Sequence, residues 1–178
     1  MGPWRGTDAP VLRSVYLSTP DLSTQFGDVA FDSEDAAGEF IATKLIWQPE
    51  RSFNLAIELG GKPVGNVGIS NIDHRHRTAW AYYWVSGEAR GLGLAARSAA
   101  SLASWAIEEL GLFRLELGHR TNNEASCRVA TRAGFVAEGL ERAKLQYGDT
   151  RFDVESHARL ATDPAPSLEL NPIHADPP

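Results

Sequence analysis

One cysteine and one methionine occur in 178 residues. A single thiol, Cys127, excludes an internal disulfide framework and offers no cysteine metal cluster. Basic residues are also in short supply: 17 Lys and Arg stand against 23 Asp and Glu, a formal charge of −6. Nonspecific binding to nucleic acid or to an anionic membrane needs a basic footprint that this balance does not supply. No apolar run approaches the ~18 residues of a membrane span. The opening Met1-Gly2-Pro3-Trp4-Arg5 has none of the apolar core of a secretory leader. The expectation is therefore one cytoplasmic domain, with 43% hydrophobic residues to fill its core.

Composition breaks once along the chain. Residues 163–178 hold five of the ten prolines and have little to bury, so they read as a mobile tail behind a working domain of residues 1–162. Ahead of it, Asp8 to Tyr16 and Glu34 to Trp47 have helical spacing, with Asp8 and then Asp32 or Ser33 as candidate caps. The period then changes. Phe53–Leu59 and Val64–Ile72 alternate as two strands about the turn Gly60-Gly61-Lys62-Pro63, and Ala79–Val85 supplies a third strand. Leu94, Ala95, Ala99, Leu102, Ala103, Ala106 and Leu110 recur at three- and four-residue steps up to Gly111, which marks a long helix. A strand over Phe113–His119, a short helix over Glu124–Ala133, and strands from Phe135 and over Phe152–Leu160 complete the pattern. The spacing predicts an α/β fold: a mixed, mostly antiparallel sheet, flanking helices and a central β-α-β crossover.

The chemistry concentrates between the third strand and the long helix, at Arg90-Gly91-Leu92-Gly93-Leu94-Ala95. The first N–H groups of a helix lack partners and carry the positive end of its dipole. Glycines there let the backbone wrap a pyrophosphate, and Arg90 adds charge beside it. A plain tight turn would need one glycine rather than two. A Walker loop is excluded because no Gly-Lys-Ser/Thr follows. A dinucleotide fingerprint is matched only in part, with Ala96 in the third small position and Glu116 too far along.

Arg90 to Ala95 resembles the acyl-CoA pyrophosphate loop of the GNAT N-acetyltransferase superfamily. The run Asn123-Glu124-Ala125-Ser126-Cys127-Arg128-Val129-Ala130, continuing to Ala133-Gly134-Phe135, resembles its ribosomal-protein (RimJ/RimL-type) branch, as does the closing Arg151-Phe152-Asp153-Val154. The resemblance implies transfer of an acetyl group from acetyl-CoA to a primary amine, either a protein N-terminus or a small molecule, by direct attack in a ternary complex. It further implies that the strand end Trp84-Val85-Ser86 pairs with pantetheine and polarises the thioester carbonyl as an oxyanion hole. Asn123 would contact CoA or an ordered water, and Ser126 would protonate the leaving thiolate; the alternative is helix capping, which either residue could also serve while touching the cofactor. Relatives are monomers or homodimers.

The chain departs from the family in three places. Trp80 stands where many relatives carry a carboxylate, and Lys144-Leu145 stands near another such position. His119, at the end of its strand, is then a candidate base with a suitable pKa range, against the plainer reading of an exposed, idle histidine. The start is stunted, or begins downstream of the family's usual first strand, so that strand should be missing or very short. The loop His74-Arg75-His76-Arg77 offers no third ligand, so no metal is expected there. Two other functions fit the chain: a noncatalytic acyl-CoA-binding or interaction module on the same fold, and a nicotinamide-cofactor enzyme.

Overall fold

The computed structural model describes residues 1–27 and 29–174. Its centre is a seven-stranded sheet in the order β1-β2-β3-β4-β5-β7-β6. The chain enters through β1 (Gly2–Pro3), which pairs with two residues of β2, so the first strand is as short as expected. Helices α1 (Ala9–Ser18), α2 (Ser23–Phe26) and α3 (Glu34–Phe40) follow, and α3 runs on as a π-helical stretch, Ile41–Leu45. Of the candidate caps, Ser33 accepts from the Ala36 N–H at 3.1 Å. Asp8 instead accepts from the Arg5 N–H at 2.9 Å, closing the turn before α1.

Strands β2 (Phe53–Leu59), β3 (Lys62–Asp73) and β4 (Thr78–Val85) form an antiparallel meander. Helix α4 (Leu94–Glu108) carries the chain across to β5 (Arg114–Arg120), which pairs parallel with β4. After α5 (Glu124–Arg132), the hairpin β6 (Val136–Tyr147) and β7 (Thr150–Leu160) completes the sheet, with β7 antiparallel to β5. The expected β-α-β crossover is thus the single parallel join in an otherwise antiparallel sheet.

Helices cover both faces of the central strands, so their alternation separates two cores rather than a core from solvent. One face sends Leu55, Ile57, Val67, Ile69, Leu115 and Leu117 against α4. Alanine at positions 96, 99, 100, 103 and 106 lets that helix lie close to the sheet. The other face, with Ala56 and Trp84, packs under α1–α3. Edge-on aromatic contacts hold it, among them Tyr16–Phe31 at 4.8 Å and Phe26–Trp84 at 5.2 Å between ring centroids.

Double coverage also buries polar groups that alternation alone would leave wet. Asn54 and Asn66 are fully buried, and each has partners. Trp4 Nε1 donates to Asn66 Oδ1 at 2.8 Å, Asn66 Nδ2 donates to Asn54 Oδ1 at 3.1 Å, and the Tyr82 hydroxyl donates to the same Oδ1 at 2.9 Å. Asn54 Nδ2 in turn donates to the Lys44 carbonyl at 3.1 Å. Gly68 makes room for this network, since a Cβ there would lie 2.6 Å from Asn54 Oδ1.

The segment after Thr162 is irregular, as its prolines require, but it is docked rather than free of contacts. Asn171 donates from its backbone to Ser101 Oγ at 2.8 Å and from its side chain to Ser98 Oγ at 3.1 Å. The Met1 amine donates to the Pro172 carbonyl and the His174 N–H to the Met1 carbonyl, each at 2.9 Å. Leu168 and Ile173 pack on the α4 core. The buried serine hydroxyls of α4 thus find partners that composition does not reveal. Residues 175–178 of the expected tail lie outside the described residues. Among the described residues, no helix is long and apolar enough to cross a membrane.

Candidate active site

Strands β4 and β5 pair only over Thr78–Trp80 against Arg114–Glu116. Past Trp80 the parallel pair parts, and one edge of the β4 backbone over 81–85 has no strand beside it. The loop leading to α4 lies at the end of that opening. Gly91 and Gly93 take φ values of +78° and +74°, in the left-handed region, and a Cβ on either would meet no atom within 4 Å. It is conformation and clear space, not crowding, that calls for glycine here. Gly93 is the N-cap of α4 and no side chain caps that helix, so the first-turn N–H groups at Leu94, Ala95 and Ala96 face the opening without a built-in acceptor.

A cavity of about 340 Å³ lies over this helix start, with Arg90, Gly91, Gly93, Ala95, Arg128 and Arg132 in its wall. Three guanidinium groups around an uncapped helix N-terminus concentrate positive charge here on a chain of net charge −6, although Arg128 also lies 3.4 Å from Glu124. Arg128 and Arg132, one turn apart on α5, escaped the reading of the sequence. Their i, i+4 spacing was the available signal. Arg90 is less free than expected: its Nη2 donates to Asp21 Oδ2 at 2.8 Å and its Nε to the Val85 carbonyl at 3.3 Å. Leu92 and Ser86 line neither this cavity nor the adjoining one. Leu92 is exposed, and the Ser86 N–H already donates to the Val64 carbonyl at 2.8 Å.

The adjoining cavity, about 210 Å³, shares Val85, Arg90, Ala95 and Val129 with the first and adds Tyr83, Trp84, Asn123 and Ser126. The Trp84 ring packs away from it against Trp4 and Phe26. Asn123 caps α5, its Oδ1 accepting from the Ser126 N–H at 3.1 Å. That bond aims the first turn of α5 at β4. Ser126 Oγ lies 2.7 Å from the Tyr83 hydroxyl, which also reaches the Ser126 carbonyl at 3.1 Å. Tyr83 was missed because it reads as one more strand aromatic. Burial pushes its hydroxyl up to about 12, so it stays a proton-bearing donor at neutral pH.

His119 does not come to this cleft. It is buried, 5% exposed, rather than exposed and idle, and lines a separate cavity of about 360 Å³ with Cys127 and Glu155. The alternation of β5 explains this: Leu115, Leu117 and His119 all point to the α4–α5 side. The two departures at Trp80 and Lys144 meet each other, with the Lys144 ammonium 5.2 Å from the centre of the Trp80 ring. Neither lines the cleft. Asp21, held by Arg90, is the one carboxylate among the described residues that line the two joined cavities.

Residues 1–136 match the acetyltransferase (GNAT) domain model. The chain belongs to the GNAT acetyltransferase family. It is 30% identical over 118 residues to the putative ribosomal N-acetyltransferase YdaF of Bacillus subtilis strain 168, covering 64% of each chain. To spermidine N(1)-acetyltransferase of Escherichia coli K12 it is 34% identical over 92 residues, covering 52% of this chain and 48% of that one. These alignments span less than two thirds of either relative. Among solved structures, RimJ of Mycobacterium smegmatis, in complex with a CoA disulfide, superposes with a TM-score of 0.76 at 24% identity, over 89% of this chain and 80% of that one. The GNAT fold is therefore shared across the sheet and its helices, and the ribosomal-protein acetyltransferases among the relatives bear out the branch indicated by the block from Asn123 to Phe135.

Proposed function

We propose that this GNAT domain transfers acetyl groups from acetyl-CoA to a primary amine, a protein N-terminus or a small molecule. One observation carries the reading. The uncapped start of α4, with its two left-handed glycines and surrounding arginines, opens into the same cleft as the Tyr83–Ser126 pair. Bound acetyl-CoA supplies a thioester that an amine can attack without an acyl-enzyme.

The residues present fit that group. The amides of Leu94, Ala95 and Ala96 and the side chains of Arg128 and Arg132 would hold the pyrophosphate. The unpaired edge of β4 up to Val85 would receive the pantetheine arm. With Tyr83 giving its single proton to Ser126 Oγ rather than to the Ser126 carbonyl, the Ser126 hydroxyl would be free to offer its own proton into the cleft. A hydroxyl is a weak acid, and it acts here by a positioned hydrogen bond rather than by bulk proton supply. Asn123 fixes the turn that carries it. Among the described residues, no histidine and no unpaired carboxylate lines the cleft, so removal of the proton from the amine would fall to solvent.

Release of free CoA thiol, followed with a panel containing N-terminal peptides of ribosomal proteins, spermidine and simple alkylamines, tests the proposal. Turnover on at least one amine is expected. Tight CoA binding with no turnover on any amine would favour a noncatalytic acyl-CoA module instead.

A further inference from the structure

Beyond the cleft, four side chains from three elements converge, His119 on β5, Glu155 and His157 on β7, and Cys127 on α5, and three of them, His119, Cys127 and Glu155, line the cavity of about 360 Å³. One ligand atom from each lies within 4.8 Å of all the others. His119 Nε2 is 3.0 Å from His157 Nε2 and 3.3 Å from Glu155 Oε2. His157 Nε2 is 3.0 Å from the same Oε2, and Cys127 Sγ is 3.6 Å from it. Tetrahedral zinc bonds of about 2.0–2.2 Å to N and O and about 2.3 Å to S put neighbouring donors roughly 3.3 Å apart for N and O, and roughly 3.6 Å for S against O. These four spacings lie within a few tenths of an ångström of that figure, and the sulfur, within 4.8 Å of the imidazole donors, would close in on binding.

The donors are also prepared electronically. His119 Nδ1 faces the Arg120 carbonyl at 3.1 Å, a contact only an N–H can make, so its Nε2 presents a lone pair to the cluster. His157 is 2% exposed and its Nδ1 is buried with no partner among the described residues. A proton on His157 Nε2 leaves that Nδ1 a bare buried acceptor. A proton on Nε2 is shared between Glu155 Oε2 and His119 Nε2; with the proton on Nδ1, which has no partner there either, two imidazole lone pairs and a carboxylate oxygen converge, and a cation would answer that convergence.

We propose that His119, His157, Glu155 and Cys127 form a tetrahedral site for a divalent transition metal, zinc by the nature of the donors. On binding, the Cys127 thiol loses its proton to solvent, and thiolate plus carboxylate balance the dication. The site is structural. It ties the first turn of α5, which carries Ser126, to β5 and β7, and it has four protein donors and no open position. Thr121, Glu124 and Arg128 form the rest of the cavity wall through which an ion enters. Cys127, a lone cysteine that excludes a thiolate cluster, thus becomes one donor of a mixed set.

The test uses the full chain stripped with a chelator and titrated with zinc against a chromophoric competitor, and with cobalt(II) as a spectroscopic stand-in. One equivalent should bind with Kd below about 1 μM. The cobalt form should show the intense visible bands of tetrahedral coordination and a thiolate charge-transfer band, and zinc should raise the thermal midpoint. Cys127→Ser should abolish the charge-transfer band. Glu155→Gln, a variant of a partly exposed residue, should weaken zinc binding at least as much as loss of an outer partner does, roughly 10- to 100-fold. Weak, octahedral cobalt spectra unaltered by Cys127→Ser, or zinc affinity unchanged in Glu155→Gln, would overturn the proposal whether or not the chain acetylates an amine.

Discussion

Tyr83 and Ser126 make the sharpest prediction, because their two shared contacts separate a group that delivers a proton from one that positions it. Ser126→Ala removes the proposed donor. General-acid catalysis is worth about 10²–10⁴ in rate, and an unactivated hydroxyl belongs at the lower end, so kcat should fall about 100-fold with KM for acetyl-CoA little changed. Tyr83→Phe removes only the hydroxyl that lies 2.7 Å from Ser126 Oγ and 3.1 Å from its carbonyl. A neutral hydrogen bond contributes about 1 kcal/mol net, which corresponds to a roughly fivefold loss in kcat. Because Tyr83 acts through Ser126, the double variant should match Ser126→Ala at about 100-fold rather than multiply to about 500-fold. Single-turnover acetylation of one amine, with CoA release as the signal, measures all four corners of the cycle. Multiplying losses, or a Tyr83→Phe defect as large as that of Ser126→Ala, would refute the division of labour. An unchanged kcat in Ser126→Ala would refute the proton donor itself.

Tyr83 also has a signature in stability. Its hydroxyl titrates near 10 when unfolded and is raised to about 12 by burial, so above pH 10 the unfolded chain holds fewer protons than the folded one and stability falls as pH climbs toward 12. Denaturant midpoints measured across that window should drop less steeply in Tyr83→Phe than in the parent, with Tyr82, also raised by burial, contributing equally to both. Gly93→Ala, forcing a Cβ into φ +74°, should cost roughly 1–2 kcal/mol of stability and raise KM for acetyl-CoA more than it lowers kcat; unchanged acetyl-CoA affinity by calorimetry would count against the phosphate loop. Asn54→Ala leaves Asn66 Nδ2 and the Lys44 carbonyl without partners in the interior and should cost about 3 kcal/mol in chemical denaturation. Ending the chain at Thr162 removes Asn171, which donates to Ser98 and Ser101, along with Leu168 and Ile173, a loss of about 3 kcal/mol, although Ser101 keeps its bond to the Arg97 carbonyl; a tail without contacts would leave the midpoint unmoved. With solvent as the proton acceptor, kcat/KM should rise with pH along the ionisation of each acceptor amine; a constant inflection shared by all amines would point to a base on the protein.

Much of the fold was legible because it rests on local signals. Phe53–Leu59 alternates with period two, Leu94 to Leu110 keeps the helical period, and Gly60-Gly61, Gly111 and Gly148 mark the turns between elements. The left-handed turn at Gly91 and Gly93 was legible for the same reason, since two glycines announce a backbone conformation. What stayed hidden depends on pairings between distant parts of the chain. Tyr83 meets Ser126 across 43 positions and His119 meets His157 across 38. Asn171 finds the serines of α4 across 70 or more. His119 shows the limit most clearly: strand parity was enough to place it on the α4–α5 face, but not to say that Glu155, His157 and Cys127 would be there to meet it.

The three residue pairs that join β4 to β5 have a mechanical meaning as well. They divide the sheet into two leaves, β1–β4 and β5–β7–β6, fastened at one end only. Bending stiffness across a sheet comes from its rungs, so this seam is the compliant line between the two leaves, and α4 lies across it as a spring. Deuterium uptake should therefore be fastest along the unpaired edge of β4, and a ligand strand laid between the leaves would slow it by supplying the missing rungs.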